Sequence, residues 1–361
     1  DFQVLYFTNL SFIHGIDIYN HTAQVEMIAT LRGLKPDDVF VLPFPYPPWY
    51  VLSTFFLAWL PQEIAARIWF ELNLVMLMLS VWLLTNGWNV KLRLASFLVA
   101  ILYIPVMGSL YVGQYNFPVL LGSALLIYAL KKENVTLTAL AFALLTFKPH
   151  LGAPLAGIMF TYLIIHRTEF TKRAVKAILL TATFLFAIGF IADSAWIVNY
   201  IKAIIGYQAI PSDVGCFICA SLPVAIYYFL TGQMAMTHAF LIGGINFVLF
   251  FMLLYFFRRE ILLSPIKLFI SSILIIFLSA PYIFNYDYVL LLVPIFSLVA
   301  SSLKWKWVWA TLAYLSPQLL IAFLGRGANL FLPLTALFVL IINLFQPKIQ
   351  LSEPELSIKH D

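Results

Sequence analysis

Apolar residues run almost without a break from Pro61 to residue 346, punctuated by short clusters of charged, amide, Gly and Pro positions. A helix of about 20 such residues crosses a ~30 Å hydrocarbon layer at 1.5 Å per residue. The pattern predicts eleven spanning segments: 62–85, 93–110, 115–130, 135–149, 150–166, 174–193, 237–257, 264–284, 287–303, 306–324 and 328–346. The stretch 135–166 is divided at Lys148-Pro149-His150, because Pro149 interrupts a helix and a lysine inside it needs a polar partner. The predicted fold class is all-α, a polytopic membrane bundle.

The opening of the chain has a different texture. Residues 1–14 mix small polar groups with aromatics, which predicts an amphipathic helix suited to a membrane interface. A Gly- and Pro-bearing loop follows over 15–46, then an apolar run over 47–60 that starts at Pro47-Pro48. That run reaches only about 21 Å, short of the hydrocarbon core, so it is expected to lie at the interface without crossing. Three regions follow: 1–61 as a first loop with juxtamembrane helices, 62–346 as the transmembrane domain with an outer loop at 194–236, and 347–361 as a tail. The sequence opens at Asp1 with no initiator Met and no signal peptide, so an upstream segment is expected.

Composition agrees with the pattern. The 361 residues are 63% hydrophobic and 10% charged, with a mean hydropathy of +0.95, whereas soluble domains carry about 25% charged residues. The net charge of +5 sits in short loops and does not suggest nucleic acid. With 86–93, 131–134, 167–173, 258–263, 304–305 and the tail in the cytoplasm, fifteen of the 21 Lys and Arg lie inside when the loop-flanking Lys176, Lys267 and Lys306 are counted, and residues 1–61 lie outside. Cys216 and Cys219 form a lone CxxC, too little for a zinc site and without a thioredoxin-like context; it reads as incidental. No His/Asp/Glu cluster has metal-ligand spacing and no Gly-rich phosphate loop is present, so neither metal nor cofactor is expected.

This topology gathers the unusual residues at the extracytoplasmic edge: Asp1, Tyr46-Pro47-Pro48, Gly113-Gln114-Tyr115-Asn116, Lys148-Pro149-His150, Asn285-Tyr286-Asp287-Tyr288 and Gly325-Arg326-Gly327. Each has a plain structural reading. Gln114 and Asn116 read as caps of the 115–130 helix, Lys148 as a snorkelling cation, His150 and Arg326 as loop residues, and Asp287 as a cap of 287–303. Arg67 and Glu71 read as an i,i+4 pair. What favours a site is their convergence on one face.

In order along the chain, Asp1-Phe2, Gly15-Ile16-Asp17-Ile18-Tyr19, Phe44-Pro45-Tyr46-Pro47-Pro48, Gly113-Gln114-Tyr115-Asn116 and Lys148-Pro149 resemble glycosyltransferase family 87. These are GT-C-class membrane enzymes that use polyprenyl-phosphate sugars. The resemblance covers residues 1 to about 165. It implies a GT-C-like bundle of about eleven transmembrane helices, one further helix before Asp1, and juxtamembrane helices on the outer face. It also implies that Asp1 is the catalytic base and that a mannose-like hexose is transferred with inversion. Such chemistry needs one carboxylate to take the acceptor proton, and donors or cations for the departing phosphate. Gln114 and Asn116 are candidates for sugar hydroxyls, Lys148, His150 and Arg326 for phosphate, and Asp287 joins them as a substrate-binding candidate.

The expected partners are a polyprenyl-phosphate-sugar donor, a glycan or glycolipid acceptor and the lipid bilayer, with no nucleic acid. The expected location is the plasma membrane, multi-pass, with the site on its extracytoplasmic side. The alternatives are a multi-span transporter or lipid flippase, which Pro105, Pro118, Pro223, Pro281 and Pro294 would suit as helix breakers, and a structural membrane subunit.

Overall fold

A computed structural model describes residues 1–209, 219–233, 238–257 and 264–345. Its first part holds α1 (Phe2–Ile13), α2 (His21–Arg32) and α3 (Pro48–Thr54), the last continuing into a 3-10 turn, Phe55–Trp59. Then come α4 (Gln62–Leu84), α5 (Val90–Ile101), α6 (Ile104–Val112), α7 (Asn116–Lys132), α8 (Val135–Leu145), α9 (Pro149–Ile165) and α10 (Glu169–Ala192). Next are α11 (Trp196–Ala209), α12 (Leu222–Thr231), α13 (Ala239–Phe256) and α14 (Pro265–Ser279). A 3-10 segment, Asn285–Leu291, leads into α15 (Leu292–Ala300), followed by α16 (Lys306–Leu324), the turn Gly325–Leu330 and α17 (Leu332–Phe345).

Each of the eleven predicted apolar segments contains helix, but eleven spans are not confirmed. Among the described residues, five helices are long and apolar enough to cross a membrane, or six if α5 and α6, bent by 60° at their junction, act as one. The apolar helices mark a membrane protein; among the described residues the count of about eleven is not confirmed. Hydropathy reports burial, and a helix can be buried by protein as well as by lipid. In α14 every side chain from Ile266 to Ser279 is buried, enclosed by α9, α13 and α17. At 15 residues it is about 22 Å long, short of the core. In α7 the apolar residues are likewise covered, by α4 and α8.

The break at Lys148-Pro149 is built tightly. α8 ends at Leu145 and Pro149 occupies the first turn of α9, where its missing N–H costs nothing. A Cβ on Gly152 would lie 1.7 Å from the carbonyl oxygen of Leu145, so only glycine lets the two helices meet here.

α1 departs from the amphipathic expectation. Val4 through Asn9 and Ser11 are all buried. Its polar groups are consumed internally: Thr8 and Ser11 donate to the carbonyls of Val4 and Phe7, and Asn9 Nδ2 donates to the carbonyl of Thr54 at 2.9 Å. The helix packs inside a second apolar core with Phe44, Tyr50, Val51, Trp69 and Tyr115. The run 47–60 stays short, as α3 and its 3-10 turn, lying against α1. The basic loop 258–263, the tail after 345, and residues 210–218 and 234–237 lie outside the described residues, as therefore does Cys216.

Candidate active site

The site forms where four connections meet: the start of α1, the α6–α7 turn, the α8–α9 break and the segment Tyr282–Asp287. Gly113 closes α6 in the left-handed region, with φ of +67°. A Cβ there would come within 2.7 Å of Phe2 Cβ, so the missing side chain is what lets α1 seat against the turn. Trp69 Nε1 fixes the turn by donating to the Gly113 carbonyl at 3.1 Å. The next two residues hold Asp1. Tyr115 donates its hydroxyl to the Asp1 carbonyl at 2.8 Å, and the Gln114 amide donates to the Asp1 carboxylate.

Behind Gln114 lies Lys148, 1% exposed. Its ammonium donates to Asp287 Oδ1 at 2.5 Å, Asn116 Oδ1 at 2.6 Å and Gln114 Oε1 at 3.3 Å. An ammonium has three protons, and all three are taken, so a phosphate nearby would meet its charge without a free N–H. The Tyr286 ring lies 5.0 Å from the same nitrogen. Asp287 is fully buried and uses its second oxygen to accept the Phe284 N–H at 2.9 Å. Asp287 thus caps the 3-10 segment, as one of its two readings expected, and also neutralises Lys148, which neither reading foresaw.

Asn116 makes no side-chain cap to α7. Its amide donates to Ser109 Oγ at 2.8 Å and to the Tyr286 carbonyl at 2.9 Å, and its oxygen faces Lys148. One polar chain thus runs from Asp1 through Gln114 and Lys148 to Asp287, with Asn116 bracing it.

The chain borders a cavity of about 340 Å³ lined by Asp1, Gln114, Lys148, His150 and the aromatics Tyr46, Tyr200, Phe240, Tyr282, Phe284 and Tyr286. His150 Nε2 stands 3.8 Å from Asp287 Oδ2 and makes no hydrogen bond. It is the titratable group at this wall with an unspent nitrogen. Among the described residues no three His, Cys, Asp or Glu side chains converge as metal ligands would.

The wall beyond His150 is stitched from distant segments. Ala220 N–H donates to the Ile283 carbonyl at 2.7 Å, Ser221 to the Pro281 carbonyl at 3.2 Å, and Tyr288 to the Ala220 carbonyl at 2.9 Å. The adjacent Cys219 is disulfide-bonded.

Residues 44–214 match glycosyltransferase family 87. The match covers just under half of the chain and includes Gln114, Asn116, Lys148 and His150; Asp1 precedes it, and Asp287 and Arg326 follow it. Over that stretch the chain is similar to a family of glycosyltransferases, and its apolar helices suggest that it lies in a membrane. No curated protein and no solved structure matches it significantly.

Of the residues singled out in the sequence, six come together: Asp1, Gln114, Asn116, Lys148, His150 and Asp287. The backbone of Arg326 lies in the Gly325–Leu330 turn, against α12, α16 and α17; its side chain lies outside the described residues. Arg67 and Glu71 do not form the expected pair, since no ion pair links them among the described residues. Sequence reasoning missed Ser109, Tyr200, Tyr282 and Phe284. Of these, Tyr200 lies in the stretch read as an outer loop, 194–236.

A second polar cluster supports the cavity from behind. Asn199 Nδ2 bridges Asp17 Oδ2 at 3.1 Å and Asp193 Oδ2 at 2.8 Å, and Asp17 Oδ1 accepts the Tyr19 N–H at 2.8 Å. Tyr19 and Tyr200 pack at 5.8 Å between ring centroids. Burial pushes the Asp17 carboxyl above the usual aspartate range; the Tyr19 N–H opposes this and the Asp193 charge adds to it.

Proposed function

We propose that this protein transfers a hexose, mannose-like, from a polyprenyl-phosphate-sugar donor to an acceptor hydroxyl on the extracytoplasmic side of the plasma membrane. Asp1 takes the proton of the acceptor hydroxyl. The freed oxygen attacks the anomeric carbon, the bond from that carbon to the phosphate oxygen breaks, and its electron pair leaves with the lipid phosphate. Displacement from the opposite face inverts the configuration.

One observation carries the reading. A single carboxylate, held at its backbone by Tyr115 and at its side chain by Gln114, faces an aromatic-walled cavity that also holds His150. Gln114 and His150 line the cavity beside Asp1 and are the candidates for contact with a sugar and its phosphate. Asn116, Lys148 and Asp287 set the charge and orientation behind them. Aromatic faces suit the apolar faces of a sugar ring. The disulfide at Cys219 is consistent with an oxidising, extracytoplasmic face. Arg326 remains a candidate phosphate contact.

The test is Asp1→Asn in the full-length protein with a polyprenyl-phosphate-sugar donor. Loss of a general base lowers turnover about 10²–10⁴-fold; near-wild-type turnover removes Asp1 from that role.

A further inference from the structure

Away from the candidate active site, α5 and α16 begin around a groove of about 210 Å³. It is lined by Trp88, Leu92 and Ser96 at the head of α5, Trp307 and Thr311 at the head of α16, and Phe296 of α15, among others. None of its lining residues borders the 340 Å³ cavity. We propose that this groove binds an anionic phospholipid, with the phosphate held by Lys91, Lys304 and Lys306 and an acyl chain in the groove. Lys91 adjoins the lining residue Leu92 in the chain, and Lys306 adjoins Trp307.

The charges call for an anion. A helix N-terminus carries a partial positive charge and ordinarily draws acids. Here both helices begin with cations and no acid: Lys91 and Arg93 on α5, and Lys306 on α16 with Lys304 just before it. The chain has no Asp or Glu from 72 to 132 or from 288 to 352, so these helices bring no acid of their own. Among the described residues none of the four cations forms an ion pair. Arg93 lies 3.2 Å from the Trp82 ring centroid and donates to the Trp82 carbonyl at 2.6 Å, which fixes its charge without neutralising it. Trp305 makes no side-chain cap to α16, so orphan backbone N–H groups at that helix head suit a phosphate. The head of α10 shows the contrast, since its first-turn Glu169 pairs with Lys172 at 2.7 Å.

The apolar surroundings select a lipid over a free phosphate. Trp305 and Trp307, 58% and 52% exposed, are rings of the kind that sit at the head-group level of a bilayer. Leu94, Leu98 and Leu102 expose further apolar surface along α5, as a helix facing lipid tails does. The segments 86–93 and 304–305 are also loops expected in the cytoplasm, whose leaflet carries anionic lipid.

The experiment uses the full-length protein in detergent. Native mass spectrometry reads its binding of phosphatidylglycerol and of phosphatidylcholine with the same acyl chains. The triple variant Lys91→Gln/Lys304→Gln/Lys306→Gln should weaken phosphatidylglycerol binding at least about tenfold and leave phosphatidylcholine within about twofold. A control triple, Lys131→Gln/Lys132→Gln/Lys176→Gln, removes the same charge from other exposed positions and should leave both lipids within about twofold. Equal losses in the two triples would assign the binding to diffuse surface charge and overturn the site. Ala95→Phe fills the groove without touching a charge, and should weaken phosphatidylglycerol by a similar factor. Unchanged binding there overturns the groove as the seat of the chain. Glycerol 3-phosphate that competes as well as the whole lipid overturns the lipid assignment in favour of a free phosphate. A wild type with no preference for phosphatidylglycerol overturns the proposal; that is the result expected if the chain's own tail, with Glu353, Glu355 and Asp361, covers the cations. The wild-type and Ala95→Phe measurements decide the matter even if the triple variant fails to fold.

Discussion

Lys148 and Asp287, 139 positions apart, form an ion pair at 2.5 Å in which neither side chain reaches solvent. Taking two charges out of water is costly, and the cost is offset here only because each has further partners: Asn116 and Gln114 for the ammonium, the Phe284 N–H for the carboxylate. Removing one member leaves the other buried and uncompensated. Lys148→Met should therefore destabilise the protein by about 3–5 kcal/mol. The double replacement Lys148→Met with Asp287→Leu should recover most of the thermal stability but not the sugar transfer. Thermal unfolding in detergent beside a transfer assay checks both. A double variant as unstable as the single one would deny that charge pairing is what holds the two residues.

Gln114 links that pair to Asp1, donating to the Asp1 carboxylate while its oxygen takes a proton from Lys148. A hydrogen bond to a carboxylate favours its ionised form. Gln114→Leu should therefore move the acidic limb of the kcat/KM profile to higher pH, and Gln114→Glu, which places a like charge beside Asp1, should move it further. A residue that merely packed would lower the rate without moving the limb.

Gly113→Ala tests whether the seat of α1 matters. The added Cβ would press on Phe2 Cβ at 2.7 Å, and the residue would have to keep a φ of +67°. Relief requires Phe2, and with it Asp1, to shift. The expected result is a stability loss of about 1–3 kcal/mol and a fall in kcat of at least about tenfold, since small misplacements of a reacting group cost rate steeply. Wild-type kcat in a folded Gly113→Ala protein would mean that Asp1 is positioned by something else.

Asp17 gives a prediction about pH. Its folded pKa is raised above the ordinary 3.8, so protonation favours the fold. That contribution is fully present below the ordinary value and is lost as pH rises through the raised one. Asp17→Asn, which mimics the protonated side chain, should unfold at a higher temperature than wild type at neutral pH. The gap should close as pH falls below about 3.8. A gap that stays constant with pH would assign the effect to packing with Tyr19 and Tyr200.

The positions of the helices were legible in the chain because their causes are local. Apolar runs, Pro149 at a helix start and Gly113 at a helix end act over a few residues. What encloses a helix is not local. The sequence of α14 reads the same whether lipid or protein surrounds it, and α1 looked interfacial because Thr8, Asn9 and Ser11 read as a polar face until Thr54 and the helix's own carbonyls took them in. The failed Arg67–Glu71 pair has the same origin: i,i+4 spacing permits an ion pair, and rotamers and neighbours decide whether it forms.

By itself, then, the sequence determined an all-helical membrane chain, the breaks in its apolar runs, and the short motifs around Asp1, Gln114, Asn116 and Lys148-Pro149. Hydropathy and backbone restriction are properties of neighbouring residues, so a linear reading reaches them. Only the tertiary structure decided that Lys148 spends its three protons on Gln114, Asn116 and Asp287, and that Asp1 and His150 border one cavity. Those relations join side chains more than a hundred residues apart in several cases. They depend on which helix ends the packed core brings together, and no local pattern encodes that.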